Sequence, residues 1–145
     1  MQQGIEARFR TLITLWFGIL MSVVLYFVLT FVAGPEINPE QTQSNAVVIV
    51  ALTVIGMTLV ITGFVLKGRF LRQAVDRQEA LLVQKGYLIS FAFCEVSALF
   101  GLLERFAFGY RYYYGLLALA AISIAIQFPR REHILAATFK NSNKI

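Results

Sequence analysis

Four side chains in or beside the apolar stretches of this sequence offer chemistry: Glu95, Glu104, Cys94 and His133. Glu95 stands in the middle of LISFAFCEVSALFGLL, residues 88–103, where no other residue carries a charge. A charged carboxylate deep in a bilayer costs from about 2.5 kcal/mol upward. The protonated acid is the cheaper state, and it can donate a hydrogen bond as well as accept one. Such a group has three uses. It can hold a neighbouring helix by a hydrogen bond, for which Thr53, Thr58 and Thr62 of the preceding apolar stretch are candidates. It can take up and release a proton, or it can pair with a cation, although no Lys or Arg lies deep in any apolar stretch. Glu104 lies about 13 Å further along a helix and on its opposite face, so the two acids do not act together. Cys94 is the only cysteine and His133 the only histidine. No metal-ligand cluster, nucleophile–base set, phosphate loop or cofactor motif is visible, so neither an enzyme nor a bound metal or cofactor is expected.

The elements that position these residues follow from composition. The 145 residues are 58% apolar and only 14% charged, and mean hydropathy is positive. A soluble domain this small has too much surface for so few charges. The apolar residues form four blocks, at about 11–33, 46–66, 86–103 and 112–128. At about 1.5 Å per residue the first two are long enough for a hydrocarbon core of roughly 30 Å. The expectation is one all-α domain over residues 1–145, a polytopic membrane protein of four transmembrane helices. The first block is longer than a signal-peptide core and has no small-residue cleavage site, so it is read as a permanent helix.

Charge sets the orientation. Eleven of the thirteen basic residues, among them Arg69, Arg72, Arg77, Arg130 and Arg131, fall on one side of a four-span topology. The positive-inside rule then places both termini and the middle segment in the cytoplasm, with a bacterial plasma membrane as the simplest location. The net charge of +5 reflects this asymmetry and gives no reason to expect nucleic acid. The segment 67–85 has no proline and many helix formers, so it reads as a helical cytoplasmic extension, a hairpin between spans two and three. Its arginines, with Arg130 and Arg131, are candidate contacts for lipid or a partner. Residues 130–145, carrying Ile134, Leu135 and Phe139, read as an amphipathic tail on the membrane surface. The loop GPEINPEQTQSN is a solvated turn, and the ring-rich ERFAFGYRYYYG is an interfacial aromatic belt.

Turned at about 100° per residue, the third span separates into faces. Leu88, Phe91, Ala92, Ala98, Leu99 and Leu102 surround Glu95. Ser90, Cys94, Ser97 and Gly101 form another stripe about 130° away, of the small-residue type that lets membrane helices approach closely.

Residues 77–103, RQEALLVQKGYLISFAFCEVSALFGLL, resemble the membrane rotor subunit c of ATP synthases. Arg77-Gln78 is similar to that family's polar turn. Phe91 to Glu95 and Ala98 to Leu102 are similar to its carboxylate helix; the rest of the chain is unmatched. The resemblance implies that Glu95 binds a translocated proton. The reading is therefore a small oligomeric membrane protein with a protonatable mid-membrane glutamate, coupled to ion movement or conformational change. Its expected partners are the lipid bilayer and either further copies or a larger membrane complex, with self-association through the small-residue stripe. The alternatives are a non-catalytic accessory subunit and a small proton-coupled exporter.

Overall fold

The computed structural model describes residues 2–34 and 45–138. Most of the loop GPEINPEQTQSN and the tail beyond Thr138, including Phe139, lie outside the described residues. Among the described residues five helices follow one another: α1 (Gln2–Val32), α2 (Ala46–Arg77), α3 (Ala80–Phe108), α4 (Tyr114–Ile126) and α5 (Arg131–Thr138). Every regular element among the described residues is helical, and α1, α2 and α3 are long and apolar enough to cross a membrane. The block at 112–128 is helical only over Tyr114–Ile126, and these 13 residues extend about 20 Å.

The basic segment 67–85 is helical on both sides of a two-residue turn. Gln78 ends α2 in the left-handed conformation, φ 53°, which costs a non-glycine residue about 1–2 kcal/mol. Its side chain offsets part of this by donating from Nε2 to Val75 O at 2.7 Å and to Ala136 O at 3.5 Å. The far end of α3 closes on Gly109, φ 58°, with Tyr110 N–H returning to Glu104 O at 3.0 Å. Gly109 N–H also returns to Arg105 O at 3.2 Å, the single-bond form of a left-handed glycine termination.

α3 is the central helix, with α1, α2, α4 and α5 all packed against it. Its approach to α2 is set by glycine. A Cβ on Gly56 would lie 3.1 Å from Ser97 Oγ, and one on Gly63 would lie 3.2 Å from Ser90 Oγ. Gly101 does the same towards α4, where a Cβ would meet Tyr113 O at 3.0 Å. Ser90, Cys94, Ser97 and Gly101 are all buried inside the chain, against α2 and α4. No part of that stripe is left on the surface for a second copy, so self-association would need another face.

The large apolar side chains of α1 and α2 point outward. Phe17, Leu25 and Phe31 on α1, and Val47, Val50 and Ile61 on α2, are all more than half exposed. Hydroxyls, amides and a carboxylate occupy the interior instead: Ser90, Ser97, Glu104, Ser123 and Gln127 are buried. The tail departs from expectation. α5 buries Ile134 and Ala137 completely among Ile5, Leu12, Ala74 and Val83, so it is part of the bundle's core. The apolar spacing of three residues is equally suited to lipid or protein, and here protein fills it.

The glycine contacts make a direct test. Gly63→Leu has to push α2 from α3, and overpacking of this kind costs about 1–3 kcal/mol. Gly18→Leu, where nothing lies within 4 Å, should change stability by less than about 0.5 kcal/mol. Unfolding of the two variants in mixed micelles of rising denaturing-detergent fraction reads the difference.

Candidate functional site

Glu95 sits near the middle of α3, where α1 crosses it. Ser22 Oγ donates to Glu95 Oε1 at 3.0 Å, and Tyr26 OH donates to the same oxygen at 3.2 Å. Ser22 and Tyr26 are four residues apart on α1, so both hydroxyls face α3 from one stripe. Among the described residues no cation pairs with Glu95, and neither hydrogen bond involves Oε2. The carboxyl group is half-buried.

The threonines considered as its partners do other things. Thr58 and Thr62 each donate to the carbonyl four residues back, Val54 O and Thr58 O, both at 2.8 Å. Thr53 Oγ1 lies 2.8 Å from Glu104 Oε1 and 2.9 Å from Ile49 O, so its single proton serves one of the two at a time. The physical reason is rotation. Ser90 and Ser97 turn towards α2, and Glu95 lies on a different face of α3, out of reach of α2 in the same chain.

The neighbours of Glu95 on its own helix divide into two groups. Phe91 and Ala98 are buried towards α1 and α4, whereas Leu88, Ala92 and Leu99 are exposed. Together with Val96 and Leu103 they form an open apolar face on α3, and Glu95 stands on its border.

Two further polar groups lie along the buried side of α3. Ser90 Oγ donates to Gln127 Oε1 at 2.6 Å, and Gln127 Nε2 lies 3.6 Å from Cys94 Sγ. Gln127 follows α4 directly and is buried. Trp16 Nε1 donates to Ile124 O at 2.8 Å, and its ring meets Phe128 edge-on at 5.0 Å. Ser22, Tyr26, Trp16 and Gln127 were not expected as site residues. The spacing of Ser22 and Tyr26 in an otherwise apolar block was the available signal.

At the basic end of the bundle, Tyr87 OH and His133 Nδ1 are 2.8 Å apart. Lys67 Nζ lies 4.4 Å above the Tyr87 ring, and Arg130 N–H reaches Tyr87 OH at 3.4 Å. Arg131 pairs with Glu6, but both side chains are about half exposed, so the pair contributes little. Arg69, Arg72, Arg77 and Arg130 are exposed, and the structure gathers them into no common site. Arg72 lines a shallow cleft of about 430 Å³ with Leu71, Val75, Asp76 and His133. At the opposite end Tyr110, Tyr112, Tyr113 and Tyr114 pack edge-to-face on one another, and Arg105 lies 5.4 Å from the Tyr113 ring. Among the described residues no group of three or more potential metal ligands occurs.

Burial first, and then the neighbouring Lys67 and Arg130, hold His133 below its ordinary value of 6.5, while Glu132 opposes them. An undocked α5 therefore binds the proton first. The contribution of His133 to docking is complete above pH 6.5 and is lost as pH falls through the lowered value of the docked state. Amide exchange in Arg131–Thr138, corrected for intrinsic rates, should accelerate over this interval in the native chain. His133→Gln, which cannot titrate, should show no such step.

No protein-family model, curated protein or solved structure matches the chain.

Proposed function

We propose that the chain is a small integral membrane protein of four spans, with both termini and the Gln78 turn in the cytoplasm. In this reading Glu95 takes up and releases a proton at the seam between α1 and α3. Several observations support the membrane part. Large apolar side chains cover the outside, and polar ones are gathered within. Contacts between Lys67 and Tyr87, Gln78 and Ala136, and Glu6 and Arg131 bring the basic segments to one end of the bundle. That clustering is the asymmetry on which the positive-inside rule operates. α4 is short for a span, and tilt or local thinning of the bilayer accommodates such a helix.

The observation that carries the proton reading is the pair of hydroxyls on one carboxyl oxygen. Ionised, Glu95 accepts from Ser22 and Tyr26, and donors of this kind favour the charged form. Protonated on Oε2, it keeps both bonds, because Oε1 then serves as the carbonyl oxygen. The same two donors thus serve both states, which reduces the rearrangement between them. Position on the border of the open face gives the proton a route that does not cross the packed interior. The resemblance of residues 77–103 to rotor subunit c points to the same role for this glutamate.

In proteoliposomes, dicyclohexylcarbodiimide at neutral pH should label Glu95, and Glu95→Gln should abolish both the label and proton permeation while the chain still assembles. Ser22→Ala with Tyr26→Phe should leave the acid but slow permeation, by about tenfold if the two bonds together supply about 1.4 kcal/mol. Proton permeation undiminished in Glu95→Gln would instead make the carboxyl a fastener of α1, the role of an accessory structural subunit.

A further inference from the structure

Glu104 is a carboxyl group that the proton reading of Glu95 does not use. It lies at the end of α3 away from the Gln78 turn, 1% exposed, with Thr53 of α2 against it. Among the described residues no cation pairs with it. Its sequence neighbour Arg105 turns away, towards Gly34 and the Tyr113 ring. The Nε and Nη1 atoms of that guanidinium are buried without a hydrogen-bond partner, so they do not serve the acid. The runs 11–33 of α1 and 46–66 of α2 bring no charge to this end. The turn after α3 contributes the Tyr110 phenol and Arg111, which lies 6.0 Å from the Tyr112 ring, and α4 has only Tyr114 to titrate. Glu36 and Glu40 lie outside the described residues. A carboxyl group enclosed in this way takes up a proton in preference to holding an unpaired charge.

The hydrogen count points the same way. Thr53 Oγ1 is within hydrogen-bond distance of two oxygens, Glu104 Oε1 at 2.8 Å and Ile49 O at 2.9 Å. A carbonyl and an ionised carboxylate only accept, and one hydroxyl has one proton. With Glu104 ionised, one of these two short contacts has no proton between its oxygens. With Glu104 protonated on Oε1, its O–H donates to Thr53 Oγ1 and the Thr53 O–H donates to Ile49 O. Both contacts are then hydrogen bonds. Thr58 and Thr62 supply the comparison, since each donates to the carbonyl four residues back at 2.8 Å. Thr53 keeps the same geometry on α2 with the acid beside it, so its own proton is already placed.

We propose that Glu104 is a second proton-binding site of the chain, occupied at neutral pH, whose O–H completes the series Glu104 to Thr53 to Ile49 O and clasps α3 to α2. Loss of that proton to water turns the Thr53 hydroxyl from Ile49 O to the carboxylate and leaves a charge enclosed between helices. A rise in pH therefore loosens this end of the hairpin. The site is independent of Glu95, and its burial closes it to a reagent as bulky as dicyclohexylcarbodiimide.

Infrared spectra of the chain in lipid read the proton directly, because a protonated carboxyl has a C=O band distinct from those of carboxylate and amide. Glu95→Gln removes any contribution from Glu95. In that background the band should persist at neutral pH, vanish with Glu104→Gln, and move to higher wavenumber with Thr53→Val, which takes away the acceptor. The amide of Glu104→Gln can donate to Thr53 as the acid does, so the helix contact is kept. Equal spectra with and without Glu104 overturn the proposal, whatever Glu95 does in proton permeation. A band that Thr53→Val leaves in place overturns the bond assigned to the O–H, and this is readable even where Glu104→Gln fails to assemble. Raising the pH until the band is lost should speed amide exchange in residues 46–53, corrected for intrinsic rates, and should not do so in Glu104→Gln. Loss of the band with unchanged exchange overturns the clasp.

Discussion

At Gly56 and Gly63 the backbone of α2 comes so close to Ser97 and Ser90 that the shortest side chain would press on a hydroxyl. Where lipid is the solvent, apolar side chains gain little by leaving it, and dispersion contacts across such approaches hold helices together. The hairpin of α2 and α3 is the base on which the other elements rest. Its rotation sends Ser90, Cys94 and Ser97 inward, and this in turn leaves Glu95 to α1. Ser97 makes no hydrogen bond although it is buried. Its small size, more than its hydroxyl, is what the close packing uses.

Polar side chains then fasten the remaining helices at separate depths. Ser22 and Tyr26 join α1 to α3, Trp16 joins α1 to the end of α4, and Gln127 joins the chain beyond α4 to Ser90. Tyr87 and His133 attach α5. Each of these contacts has a donor and an acceptor on different elements, which is what an apolar environment demands of a polar group. The arrangement differs from that of a soluble bundle, in which the same residues would face water.

The helical class was legible because long runs without charge permit few alternatives, and the stripe of small residues on α3 was legible from its spacing. The partner of Glu95 was not. Sequence proximity favoured the threonines of α2, yet the stripe itself was the clue against them. If Ser90 and Ser97 face α2, a residue on another side of α3 must look elsewhere, and α1 offers Ser22 and Tyr26, two hydroxyls one turn apart. Gln127 was missed because a polar residue at the end of an apolar run ordinarily meets solvent. The tail was misplaced for a similar reason: Ile134 and Leu135 mark an apolar face without specifying what covers it, and α5 turns Ile134 and Ala137 into the core.

The hydrogen bonds of α1 also have a bearing on how the protein is made. The partner of Trp16 is 108 residues further along the chain, and that of Ser22 is 73. At about 5–20 residues per second, the interval between synthesis of Trp16 and of its acceptor is about 5–20 s. Until Glu95 is made the Ser22 and Tyr26 hydroxyls of α1 have no tertiary partner, and the indole waits longer still. The long apolar surface that suits the finished helix to lipid is what lets it wait there. The growing chain therefore acquires its α2–α3 hairpin before its first helix has anything to join.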